Sequence, residues 1–147
     1  MIAAHGWGDI RAAARAQLDL LVARFLLWRR PIGKLVVCSE VGALPQRVTL
    51  NVRAEAELVA LAIDRAARLG VFRPSCLVRA LALHRSLERR GIVGSIVRIG
   101  VRRSADALLA HAWVEHDGVV LGDTPAMVGN FTVLTQARLA DLPGKSR

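Results

Sequence analysis

Tyrosine is absent from the chain, and aromatic residues make up only 4% of it. That argues against the aromatic platform on which single-stranded nucleic acids stack. There are only two cysteines, Cys38 and Cys76. Two cannot build a disulfide framework, and neither sits in a metal-ligand spacing, so both read as free thiols and no metal is expected. Long apolar runs are missing too. A membrane span needs about 20 consecutive apolar residues. The best candidate, LDLLVARFLLW at 18–28, is cut by Arg24 and followed by Arg29 and Arg30. The first residues lack the basic segment and apolar block of a secretory signal, which predicts a cytoplasmic protein. Acidic residues are the scarcer charge: 12 Asp and Glu against 21 Lys and Arg, a formal charge of +9. The arginines are scattered through every segment. Their excess therefore reads as an aid to solubility or an attraction for an acidic peptide or protein partner, not for nucleic acid.

What is plentiful is apolar bulk: 53% of 147 residues, with a mean hydropathy of +0.36. This length buries a core without disulfides and fits one domain over 1–147. The hydropathy implies a dense core, an apolar partner surface, or both. Asp9 can cap a helix running to about Trp28. Its expected stripe is Ile10, Ala13, Ala14, Leu18, Leu21, Val22, Phe25 and Leu26, and Pro31 stops it. Residues 31–50 show no period and read as a connector with a short strand near Leu35–Cys38. Residues 1–48 can form a helical lobe. Asn51 can cap a second helix over 52–69, with Ala54, Leu58, Leu61, Ala62, Ala66 and Leu69 inward, closed by a left-handed Gly70. "FRPSC" opens a third. Pro74 keeps Arg73 out of the helix, Ser75 is a good N-cap, and Cys76 falls in the first turn. The helix runs to about Arg90 and Gly91 ends it.

After Gly91 the apolar pattern changes from helical to alternating. Residues 92–103, 108–116, 119–123 and 131–134 read as strands. Helices first and an antiparallel meander after them is the signature of an α+β fold.

The chemistry concentrates in two places. Cys76 lies at a helix N-terminus, where free N–H groups and the helix dipole favour a thiolate. The second place is "AHAWVEHDGVVLGD", residues 110–123. His111 sits mid-strand between alanines, with Trp113 and Glu115 on the same face. His84, in the third helix, reads as a boundary residue, His116 as a solvated turn residue, and Glu115 as a solvent or structural charge. Each residue alone has a structural reading: a small buried thiol, a satisfied strand histidine. The hairpin loop decides whether Asp123 can reach His111. A two-residue Asp117-Gly118 turn pairs 116 with 119 and turns His111 away from Asp123. A three-residue loop pairs 115 with 119 and sets His111 beside Asp123, with Trp113 opposite Leu121. The sequence permits both.

Cys, His and Asp in this order, on a helix and two successive strands, resemble the transglutaminase-like cysteine enzymes. "CLVRALALHRSLERRGI", "IVRIGVRR", "AHAWVEHDGVVLGD" and "FTVL" are similar, over about 74–134, to the stand-alone protease half of the lasso-peptide maturation B proteins. The resemblance implies a transglutaminase-like or papain-like fold, with 74–134 as the catalytic core after the N-terminal helices. It implies a leader peptidase that cuts a ribosomally made precursor peptide, working with a leader-binding recognition protein and an ATP-dependent macrolactam cyclase. It implies no cofactor. By position, Cys76 would be the nucleophile, His111 the general base and acid, and Asp123 the group that orients His111. Trp113 would shield the imidazole, and Trp113 and Ser75 would bind substrate or support the catalytic residues. Transglutaminase-like acyl transfer, or partner binding without catalysis, are the alternatives on the same fold.

Overall fold

The computed structural model describes residues 7–29 and 50–134. The expected strand near Leu35–Cys38, and Cys38 itself, lie outside them. Three helices come first: α1 (Trp7–Arg29), α2 (Leu50–Leu69) and α3 (Cys76–Arg89). Then follow β1 (Ser95–Ser104), β2 (Ala107–His116), β3 (Val119–Leu121), the single turn α4 (Pro125–Val128) and β4 (Thr132–Val133). The sheet is antiparallel with strand order β3-β2-β1-β4. The fold is α+β, as the order of patterns predicts. No described helix is long and apolar enough to cross a membrane.

Local chemistry sets the ends of α3. The Ser75 hydroxyl accepts the Val78 N–H at 3.4 Å, and Gly91 leaves the helix with φ +76°. The strands sort their side chains by parity. Val97 stands opposite Val114 and Ile99 opposite Ala112. These residues, with Leu121, join α1, α2 and α3 in one core. The other parity (Arg98 and Gly100 on β1; His111, Trp113 and Glu115 on β2) forms the second face of the sheet.

Both early helices are rotated from the phase their apolar residues predict. In α1 the buried face is Ala16, Asp19, Leu20 and Ala23, while Leu18, Leu21 and Phe25 are exposed. The helix also begins at Trp7, which puts Asp9 inside it and not at its cap. In α2 the buried residues are Ala56, Val59, Ala60, Ile63, Ala66 and Ala67; Leu58, Leu61 and Leu69 stay outside. Small residues explain the choice, because alanines let helix backbones approach closely. The Asp19 carboxylate fixes the phase of α1, since it pairs with Arg89 of α3 at 2.5 and 2.6 Å. Gly70 is not left-handed as expected. Its role is steric: a Cβ there would strike the Gln17 amide, which donates to the Ala66 carbonyl at 2.5 Å.

Two histidines tie α3 and its exit loop to the sheet. His84 Nδ1 shares a hydrogen bond with Ser95 Oγ at 2.8 Å, and its Nε2 lies 3.4 Å from Glu88. Burial pushes its pKa below the ordinary 6.5, against the pull of Glu88. His116 is buried, not solvated at the hairpin tip as expected. Its Nε2–H donates to the Val93 carbonyl at 3.1 Å, a bond the inward parity of β2 makes possible.

Two stability changes follow. Arg89→Ala leaves the buried Asp19 carboxylate unpaired and should cost about 2 kcal/mol in urea unfolding, more than an exposed ion pair is worth. A loss within error would show that Asp19 is hydrated. His84 has a depressed folded pKa, so the unfolded chain binds its proton more readily. Stability should therefore fall as pH drops through 6.5 and below. The urea midpoint should drop more between about pH 7.5 and 5.5 in the wild type than in His84→Asn; equal drops would exclude His84 as a source.

Candidate active site

Cys76 is the first residue of α3, half-buried, with a free thiol. Ser75 takes the N–H of Val78, so the N–H groups of Cys76 and Leu77 remain at the open end of the helix. Ser75 itself is exposed and serves as the cap.

His111 lies on β2 directly opposite Gly100. Its ring stacks near Trp113, with centroids 6.1 Å apart and planes at 22°, and meets Phe131 at 5.3 Å. Gly100 makes this packing possible. A Cβ there would come within 2.8 Å of both the Trp113 ring and Phe131 Cβ. The Trp113 indole is held in turn: its Nε1–H donates to Glu115 at 2.9 Å, and Arg98 Nε donates to the other Glu115 oxygen at 3.2 Å. Glu115 is thus a structural charge, and its partner is the tryptophan beside His111.

Asp123 meets His111 Nε2 at 2.5 Å through Oδ2, while its Oδ1 accepts the Thr124 N–H at 2.9 Å. A carboxylate only accepts, so Nε2 carries the proton and Nδ1 is the ring's free acceptor. The register is one of the two expected, but the one expected to turn Asp123 away from His111. The hairpin has the two-residue turn, with His116 opposite Val119 and Val114 opposite Leu121. Trp113 is therefore not opposite Leu121. In that register a regular strand would turn Asp123 away from His111. The strand is not regular: β3 ends at Leu121, and Gly122 adopts φ +71°. That left-handed step reverses the parity and sends Asp123 to the face that bears His111.

Because β3 covers only 114–116 of β2, the β2 edge opens at Trp113 and before it. A narrow cleft of about 30 Å³ lies there. Cys76 and Arg79 from α3, Asp64 from α2, and His111, Trp113 and Asp123 all line it. The structure thus brings together four of the five residues singled out in the sequence. No hydrogen bond joins the Cys76 thiol to the imidazole among the described residues; they share the cleft. Catalytic hydrogen bonds are often loose until a substrate is bound. The cleft opens into a wider groove of about 580 Å³ between α2, β3 and α4. Asp64 stands at the junction, held by Arg79 at 2.8 Å and Arg68 at 2.9 Å.

Sequence reasoning missed Gly100, Phe131, Gly122 and the Asp64–Arg79 pair. A glycine inside a strand is a signal of close approach, and Gly100 carries it. Phe131 and Asp64 carry none that their own neighbours reveal. Among the described residues, no group of three His, Cys, Asp or Glu side chains is placed to hold a metal ion.

Comparison with curated proteins and with solved structures finds no match. A family model, that of the transglutaminase-like superfamily, matches residues 19–136. That span takes in about half of α1, all of α2 and α3, and the whole sheet, and with it every residue of the cleft; the chain belongs to the transglutaminase-like superfamily.

Proposed function

We propose that the chain is a cysteine endopeptidase that removes the leader segment from a ribosomally made lasso-peptide precursor. In this reading a separate leader-binding protein presents the precursor, and an ATP-dependent macrolactam cyclase takes up the freed core. The observation that carries the peptidase chemistry is a cleft lined by both a helix-terminal thiol and an imidazole whose Nε2 is bonded to a carboxylate. The leader and its partners rest on the resemblance of the residues around Cys76, His111 and Asp123 to the lasso-peptide B proteins.

The steps follow from the proton positions. The Cys76 thiol gives its proton to His111 Nδ1, and the thiolate attacks the scissile carbonyl carbon. The oxyanion that forms meets the N–H of Cys76 at the helix end, where the dipole favours negative charge. The imidazolium is stabilised by Asp123 through Nε2. As the C–N bond breaks, Nδ1–H protonates the departing amine, which is the new N-terminus of the core. A water then gives its proton to Nδ1 and attacks the thioester, releasing the leader carboxylate and the thiol. Trp113 and Phe131 pack against the imidazole and shield part of it from water, which strengthens its pair with Asp123.

The test of the pair needs only this chain. Alkylation of Cys76 by iodoacetamide, followed by peptide mass spectrometry across pH, should be fast in the wild type at neutral pH, where a thiolate is the reactive form. His111→Ala should abolish that reactivity. Equal profiles in the two proteins would exclude an activated pair. Asp123→Asn should lower cleavage of precursor by about a thousandfold, because the amide can present N–H to Nε2 and favour the wrong tautomer. Wild-type turnover in that variant would remove Asp123 from its role.

A further inference from the structure

One wall of the wide groove beside the cleft carries main-chain groups that no described residue pairs. β3 is an edge strand. In a two-residue hairpin the closing pair, His116 and Val119, exchanges hydrogen bonds, and so does the pair Val114 and Leu121. Val120, between them, is the non-bonded member of its pair. Its N–H and C=O are therefore turned away from β2. No strand and no hydrogen bond among the described residues covers them. Val120 also lines the groove, together with the apolar side chains of Leu61, Leu121 and Met127. The groove shares His111 and Asp123 with the cleft that holds Cys76. Its volume of about 580 Å³ lies within the usual range of ligand clefts.

We propose that the substrate binds as an extended polypeptide segment that adds to the free edge of β3, its backbone paired with Val120 and its apolar side chains in the groove. This rests on the peptidase reading of Cys76, since the groove is the way to that thiol. An edge strand with open main-chain groups offers affinity to any extended backbone, and the pockets beside it select the side chains. Such pairing also fixes where the chain lies relative to the thiol, as the short cleft alone cannot. The neighbouring Asp64–Arg79 pair marks the junction through which the scissile bond must pass.

Val120→Pro tests this directly. Proline removes the outward N–H and costs no ladder bond, because Val120 donates none to β2. Val120→Ala keeps the N–H and serves as the control for the side chain. The probes are acetyl-Leu-Ala-Leu-Cys-Leu-Ala-Leu-amide and acetyl-Cys-amide, each activated as its 2-thiopyridyl disulfide. The Cys76 thiolate attacks the probe sulfur, the disulfide to pyridine breaks, and 2-thiopyridone leaves; mass spectrometry assigns the adduct to Cys76. The long probe should react about tenfold faster than the short one, the worth of a hydrogen bond or two in this setting. That ratio should collapse towards one in Val120→Pro and persist in Val120→Ala. A second measurement uses only the wild-type chain: the long probe, N-methylated at every residue but the cysteine, should lose its advantage. A wild-type ratio near one, or a ratio that survives both N-methylation and Val120→Pro, would overturn the proposal. Failure of the peptidase reading looks different. The exchange rate would then be indifferent to His111→Ala, whatever the length ratio.

Discussion

At Gly122 the backbone steps into the left-handed region, one residue after the β3 ladder ends. Three features of the molecule depend on that step. It stops β3 at three residues, so the β2 edge stays open where the cleft forms. It reverses the alternation of side chains, so Asp123 reaches the face that bears His111. And it starts the turn into α4, where the Thr124 hydroxyl accepts the Met127 N–H at 3.3 Å and the Asp123 carboxylate is braced by the Thr124 N–H. A residue with a Cβ would be strained at φ +71° and would also press on Leu83 at 3.3 Å. The constraint is therefore double: backbone conformation on one side, helix packing on the other.

Close approach through small residues recurs across the molecule. Alanines at 16, 23, 56, 60, 66, 67, 80 and 82 are all buried, so the three helices meet through short side chains. Larger apolar residues on α1 and α2 are left at the surface as a consequence. Gly100 does for the sheet what the alanines do for the helices. It lets the Trp113 ring lie flat over β1 and brings Phe131 against the imidazole. The ring of His111 is then fixed by two aromatic neighbours and one carboxylate, and the only nitrogen left to act is Nδ1.

The parts of the fold that could be read from the sequence were those set by local chemistry. Ser75 as cap, Cys76 in the first turn, Gly91 as stop and the switch to alternation after it all act within a few residues. The phases of α1 and α2 were not legible, because both helices carry apolar residues around much of their circumference. What selects the buried face is a long-range pair, Asp19 with Arg89, and the size of alanine, neither of which periodicity weighs. His116 was misread for a related reason: its place next to a turn is local, but its burial depends on the Val93 carbonyl in the loop before β1. The hairpin shows a subtler failure. A two-residue turn does direct a regular strand's Asp123 away from His111, but the strand ends first, at the glycine beside Asp123 in the sequence.

Two carboxylates on this face of the sheet have separate partners. Asp123 meets the imidazole, whereas Glu115 lies four residues further along β2, beyond Trp113. Glu115 is saturated by Arg98 and the Trp113 indole, which fixes it on the far side of the tryptophan. Among the described residues Asp123 is bound by a backbone N–H besides the ring, and so has an oxygen for Nε2. A positive charge on the imidazole during turnover would thus be met by one carboxylate in a fixed direction. The second carboxylate holds the wall in place. The arrangement separates the two demands on the site, a base of defined orientation and a cover for it, by giving each its own acid, one on β2 and one just past the end of β3.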